Sequence, residues 1–227
     1  MEVEQSLKGD TLGRWSTMHL RCKGGQVLTI ISVYRVNPFN AKGDNTVYQQ
    51  QQSDYLKKIK RVVDPQDQIC KNLEKFLIKL HEAKHKIILS ADANDDVSRE
   101  GEGMWNSMLA RNGMRNAHVA LHKNQQLPRT YNKGSRCIDI IVVSDNIPND
   151  AIQRAGILPF YTINATDHRP LYIDLDKSII FDNTKPDLTK STYRRFTTSN
   201  IKKCNIYLKN LDRMFEENRI YRKVEQL

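Results

Sequence analysis

The run Val27-Leu28-Thr29-Ile30-Ile31-Ser32-Val33 does most to limit what this chain can become. It is apolar on both alternating faces and rich in β-branched residues, so as a strand it needs cover on both sides. That requirement excludes a one-sided open sheet and calls for a strand inside a layered α/β sandwich. The run is one arm of a hairpin: Trp15 to Arg21 and Gln26 to Tyr34 are predicted strands joined at Lys23-Gly24-Gly25, where glycine supplies positive φ at no steric cost.

The rest of the chain alternates. A loop from Arg35 to Asn45 leads into a polar stretch of glutamines, Gln49 to Gln52. Asp64-Pro65 then offers an N-cap acceptor followed by proline at the first helical position, where its missing N–H matters least. Ile69, Leu73, Phe76, Leu77 and Leu80 follow at helical spacing, with Lys71, Lys75 and Lys79 on the solvated side. Lys86 to Leu89 is a predicted strand, and a helix from Met104 stops near Gly113. Strands return at Arg129 to Tyr131, Cys137 to Val143 and Leu171 to Leu175. The order β-β-α-β-α-β-β-β is mixed α/β, and 227 residues suit one such domain with an appendage, or a larger domain not quite complete. After Asp176 the character changes, because Lys177 to Leu227 carries 12 − 6 = +6. Two segments are therefore expected: an α/β domain over residues 1–176 and a basic helical tail over 177–227, with Ser199 capping a helix whose Ile201, Cys204, Leu208, Leu211 and Phe215 share one face.

The whole chain carries 36 − 26 = +10, which favours an anionic partner. Nucleic acid is the first candidate and a membrane surface the second. Cys22, Cys70, Cys137 and Cys204 lie far apart without Cys-x-x-Cys spacing, so neither a zinc site nor a dense disulfide framework is indicated, and a reducing intracellular setting is expected. The acidic start Met1-Glu2-Val3-Glu4 lacks an apolar core of signal-peptide type, and no stretch approaches the length of a membrane span.

Three polar interruptions of apolar runs carry the chemistry. Asp92-Ala93-Asn94 follows one strand, Asp139 sits inside Ile138-Asp139-Ile140-Ile141, and Thr166-Asp167-His168-Arg169-Pro170 precedes another. Strand ends are where an α/β sheet presents ligands. Taken together the three describe metal-assisted hydrolysis of a phosphate ester. In that chemistry Asp92 is suited to orient and deprotonate water, and the neutral amide of Asn94 contacts phosphate without repelling it. His168 would hydrogen-bond the scissile phosphate, with Asp139 fixing its tautomer and favouring the imidazolium. Asp167 offers the hard oxygen ligands that Mg²⁺ prefers. Each signal also has a plainer reading. Asp92 to Asp95 is a good turn and cap, Asp139 has Arg136 or Lys133 for an ion pair, and an Asp-His pair before a strand is often a satisfied turn.

The ordered set resembles the endonuclease/exonuclease/phosphatase superfamily, whose domains carry Gly-Asp-x-Asn after a strand, an Arg-Ile-Asp-Tyr-Ile strand and a Ser-Asp-His before the last strand. The matching segments are Ser-Ala-Asp92-Ala-Asn94, Arg136-Cys-Ile-Asp139-Ile-Ile and Thr-Asp167-His168-Arg-Pro. Val33-Tyr34 resembles the family's Val-Tyr, whose tyrosine faces the phosphate, and Thr130-Tyr131 its aromatic strand before the Ile-Asp motif. The resemblance runs from Trp15 to Leu175. It implies an α/β fold, a two-sheet sandwich flanked by helices, acting with Mg²⁺ or Mn²⁺ on nucleic acid, DNA first. It implies Asp92, Asn94, Asp139 and His168 as catalytic, Tyr34 and Asn94 as substrate-binding, and Asp167 and Asp92 as metal-binding.

Ala91, Thr166 and Arg35-Val36 depart from the family pattern. Family members also begin with strands carrying an early Asn and a metal-binding Glu. No such context surrounds Glu2 or Glu4, so the domain is expected to be incomplete at its N-terminus and its activity weak. An apolar patch or open sheet edge is expected beside the Gln26 to Tyr34 strand. The segment from Thr197 to Ile220 is similar to the linker between an endonuclease and a reverse transcriptase in retroelement polyproteins. Two other functions remain open: a non-catalytic nucleic-acid-binding remnant, and a phosphoesterase acting on small molecules.

Overall fold

A computed structural model of the chain describes residues 2–4, 10, 12–21, 25–37, 45–99, 101–123, 125–162, 166–181, 201–217 and 220. The chain divides into two compact units, Met1–Lys185 and Pro186–Leu227.

The first unit is built on a six-stranded sheet. Its spatial order is β1 (Glu2–Glu4), β2 (Trp15–Arg21), β3 (Val27–Tyr34), β4 (Lys86–Asp92), β6 (Asp139–Ser144) and β5 (Met114–Asn116). The hairpin is in register from Trp15 opposite Val33 to Arg21 opposite Val27. Cys22, Lys23 and Gly24 of its turn lie outside the described residues, while Gly25 has φ +78°, as the turn requires. Only β3 and β4 run parallel; the other pairs are antiparallel.

The sheet is covered on both faces, as the apolar run of β3 demands. On one face Ile31, Val33, Ile87, Leu89, Ala91, Ile140 and Val142 pack against two helices. These are α2 (Pro65–Glu82), which contributes Ile69, Leu73 and Leu77, and α3 (Gly103–Arg111), which contributes Trp105 and Met108. On the other face Leu28, Ile88, Ile141 and Val143 meet a second, antiparallel sheet of β7 (Ile152–Ile157) and β8 (Leu171–Leu175). Fully burying each such side chain stabilises by about 1.5–3 kcal/mol. This is a two-sheet α/β sandwich flanked by helices.

α2 begins as its sequence specifies, with the Asp64 carboxylate accepting from the Gln66 N–H at 2.7 Å and Pro65 at the first position. α1 (Val47–Ile59) absorbs the glutamine stretch. Its buried stripe is Tyr48, Gln51 and Tyr55, and the Tyr55 hydroxyl accepts from buried Arg14. Tyrosine and glutamine carry this stripe, so a count of aliphatic positions passes over it. β5, α4 (Ala117–Leu121), β7 and α5 (Lys177–Ile180) are likewise elements that apolar periodicity does not reveal. Ile180 of α5 is buried in the second core cluster.

The segment from Arg129 to Tyr131 is not a strand. Its one ladder contact is an isolated bridge between Tyr131 and His168. The Thr130 N–H donates to the Arg136 carbonyl and its hydroxyl accepts from the N–H groups of Ile138 and Asp139, so the segment is tied to the start of β6 through a turn and a side chain without a ladder. β3 is not an edge, since β2 and β4 flank it. Met18 is exposed, and Leu20 and Ile30 are only partly buried, which leaves some apolar surface on that face.

In the second unit α6 spans Ile201–Glu217. Cys204, Leu211 and Phe215 are half-buried, while Ile201 and Leu208 are exposed. The proposed cap Ser199, and Thr197, Thr198 and Asn200 beside it, lie outside the described residues. Among the described residues no helix is long and apolar enough to cross a membrane.

Candidate active site

Sheet register brings the first three side chains together. Tyr34 at the end of β3 pairs with Asp92 at the end of β4, and Asp92 pairs with Asp139 at the start of β6. Partners in register point to one face and sit about 4.8 Å apart across the strands. All three share the parity of Ile88, Ile141 and Val143, so they occupy the face that carries the second core cluster.

His168 arrives from the other sheet. The bend before β8 is set by the Thr166 hydroxyl, which accepts from the His168 N–H at 3.3 Å. It is anchored by Asn132 N–H to Asp167 O at 2.9 Å and Arg169 N–H to Thr130 O at 2.8 Å. The segment thereby turns enough for both Asp167 and His168 to line one cleft. His168 Nδ1 meets the Asp139 carboxylate at 3.2 and 2.9 Å, and their side chains are 30% and 15% exposed. Asp139 is thus paired with His168, not with Arg136 or Lys133. With Nδ1 so engaged, Nε2 is the ring atom left for a ligand.

Asn94 sits in the left-handed region at φ 46°, a conformation that asparagine tolerates better than most residues. Its N–H donates to Asp92 Oδ1 at 3.2 Å, and its Nδ2 donates to the Arg35 carbonyl at 2.6 Å. One N–H of the amide remains for another acceptor. Arg35 is buried beneath this turn, donating to Ala93 O at 3.1 Å, Asp95 Oδ2 at 3.3 Å and Gln66 O at 3.4 Å. Arg35 therefore ties β3, the β4 turn and the start of α2 together.

The electrostatics follow from crowding. Burial, together with the Asp139 charge opposite it, pushes the Asp92 carboxyl up to about 6 against the opposing pull of His168. Burial works against the His168 imidazolium, but its hydrogen bond to Asp139 and the charges of Asp139, Asp92 and Asp167 outweigh it and raise its pKa. Burial and the Asp92 charge raise the Tyr34 hydroxyl. Ligand atoms of Asp92, Asp139 and His168 all lie within 4.8 Å of one another. Two facing carboxylates whose repulsion raises a pKa are a donor set that a hard divalent cation relieves. The group brought together is thus Asp92, Asp139 and His168, and Asp167 lines the same cleft.

The cleft encloses about 440 Å³. Tyr34, Asp92, Asn94, Asp167 and His168 line it together with Asn37, Tyr131, Gly134, Arg136 and Ile138. The sequence singles out neither Asn37 nor Gly134, and it marks Arg136 as the start of the Arg-Cys-Ile-Asp segment and as an ion-pair candidate for Asp139. The one available signal was position: Asn37 stands three residues beyond Tyr34, in the loop leaving β3.

No protein-family model matches this chain, and neither does any curated protein sequence. Solved structures do. The AP endonuclease from Archaeoglobus fulgidus superposes with a TM-score of 0.50 at 15% identity, over 77% of this chain and 70% of that one. The 3′ phosphatase NExo from Neisseria, solved with a product DNA hairpin, gives 0.49 at 16% identity over 78% and 71%. The mannosyl-6-phosphatase Bt3783 of Bacteroides thetaiotaomicron gives 0.47 at 17% identity over 71% of this chain. The chain spans 56% of that protein's length. These structures are of the endonuclease/exonuclease/phosphatase family. At such identities the likeness establishes the fold alone, and the fold is of that type.

Proposed function

We propose that this chain hydrolyses phosphodiester bonds of nucleic acid with the help of a divalent cation, Mg²⁺ or Mn²⁺. The observation that carries the reading is that His168, paired with Asp139, shares one cleft with Asp92, ligand atoms of the three side chains lying within 4.8 Å of one another. His168 would donate from Nε2 to the scissile phosphate, held in orientation and kept cationic by Asp139. Asp92 would orient the attacking water and accept its proton. Asn94 and Tyr34 would hydrogen-bond the phosphate oxygens. A cation held by Asp92 and Asp167 would neutralise charge developing on the phosphoryl group.

Two further observations support nucleic acid as the substrate: the net charge of +10, and a fold shared with a protein named as an AP endonuclease. DNA is the first substrate to try. Residues 186–227, at 10 − 5 = +5, are read as a basic appendage that adds affinity, while α5 with its buried Ile180 belongs to the first unit. The rate is expected to be low, because among the described residues lining the cleft only Asp92 and Asp167 are carboxylates. That scarcity also favours a second reading, in which the chain binds nucleic acid without cutting it.

Cleavage of labelled DNA oligonucleotides in Mg²⁺, Mn²⁺ and EDTA separates the two. Metal-dependent cutting that falls about 100-fold or more in His168→Ala and in Asp92→Ala is expected for the hydrolase. Binding without cutting in every metal would favour the second reading. Full activity in both variants would mean that this cleft is not the catalytic site.

A further inference from the structure

Beside the cleft lies a surface that hydrolysis itself does not use. Tyr161 is 63% exposed and has φ 63°, a left-handed backbone that bulky side chains avoid. Its hydroxyl accepts from Asn132 Nδ2 at 2.8 Å. The backbone N–H of the same asparagine donates to the Asp167 carbonyl at 2.9 Å. One residue thus ties an exposed ring to the backbone of a cleft residue. Next to it the Phe160 ring lies 6.3 Å away between centroids and tilted by 48°, and the guanidinium groups of Arg129 and Arg169 lie over Phe160 at 5.7 and 5.5 Å.

The same loops are basic. Arg129, Lys133 and Arg136 are exposed, and none of them pairs with a carboxylate among the described residues. Arg136 lines the cleft itself. An exposed ring in an unfavourable backbone gains nothing from burial, and strain of this kind gathers at binding and catalytic sites. Flat rings interleaved with unpaired cations are what an unpaired nucleic acid strand binds, through base stacking and phosphate contacts. A duplex offers no free base face to such a ring.

We propose that Tyr161 is a stacking platform for an unpaired base adjoining the phosphate held in the cleft, with Lys133 and Arg136 on the flanking phosphates. The substrate is then single-stranded or locally opened nucleic acid. The choice of nucleic acid rests on the function proposed above.

The test is fluorescence anisotropy of the full chain with a single-stranded oligothymidylate and with a blunt duplex, both in EDTA so that nothing is cut. Tyr161→Gly removes the ring and suits the backbone, so it should fold at least as well as the parent. It should weaken single-strand binding about 5- to 100-fold and leave duplex binding within about twofold. Tyr161→Phe, which keeps the ring and loses the bond to Asn132, should stay within about threefold of the parent on the single strand. Lys133→Gln with Arg136→Gln should reduce the slope of log affinity against log salt by about 1.4 on the single strand. Unchanged single-strand affinity in Tyr161→Gly would overturn the proposal. So would equal losses on both substrates, or a Phe variant as weak as the Gly variant, since the tyrosine would then be only a latch. Because binding is read without metal, failure to cut would sink the hydrolase and leave this platform standing. Cutting together with unchanged Tyr161→Gly binding would sink the platform alone.

Discussion

Asp139 places both carboxylate oxygens near one imidazole nitrogen, and that commitment decides how the neighbouring charges behave. Asp92, opposite Asp139 in register, is pushed by burial and then by the Asp139 charge to a pKa of about 6 against its usual 3.8. Between those values the folded chain binds more protons than the unfolded one, so stability falls as pH rises through that window and stays reduced above it. In metal-free buffer Asp92→Asn should therefore be the more stable protein at pH 7.5. The full interval corresponds to about 3 kcal/mol, and solvent screening at this partly exposed group reduces the gain to about 1 kcal/mol. Urea midpoints at pH 7.5 and near pH 4 check this, the advantage vanishing at the lower pH. The raised pKa of His168 has the same sign, its contribution being present below the unfolded value of 6.5 and lost as pH rises through the folded one. At this scale sequence was informative wherever a polar residue broke an apolar run, as Asp139 does between Ile138 and Ile140. Asn37, Arg35 and Tyr161 stand in loops or at a strand exit, where one polar or aromatic residue breaks no pattern.

Elements were legible in proportion to how far local rules decide them. α2 combines an N-cap, proline at the first position and a five-residue apolar stripe, and β8 begins and ends where its apolar alternation does. The cap is directly testable. Asp64→Ala should cost about 1 kcal/mol in chemical denaturation, because the Gln66 N–H would lose its acceptor. An unchanged midpoint would show that water replaces the carboxylate. β7 resisted reading because Gln153, Arg154 and Gly156 thin its apolar content, and its pairing with β8 is a long-range decision. The segment from Arg129 to Tyr131 failed for the opposite reason: its residues favour a strand, but its pairing stops at one bridge between Tyr131 and His168, a long-range outcome that local preference does not decide.

For the whole molecule, the doubly covered strand was the durable inference, since one apolar run on both parities cannot be satisfied without two layers. The composition of the second layer was not legible, because it depends on which distant segments meet over Leu28, Ile88 and Val143. Both core clusters, and every residue lining the cleft, fall within Met1–Lys185. Residues 186–227 carry 10 − 5 = +5 of the total +10, leaving +5 on the remainder. Ending the chain after Lys185 should therefore preserve a single cooperative thermal transition, because among the described residues no core side chain is lost. It should also weaken nucleic-acid binding and flatten its salt dependence, because fewer cations remain to displace counterions from phosphate. Metal-dependent cutting at low salt, where affinity is not limiting, should persist. Melting followed by circular dichroism, with binding titrations at two salt concentrations, checks all three. A broad or absent transition in the shortened chain would show that the second unit completes the fold of the first, and that the basic tail is structural rather than an electrostatic appendage.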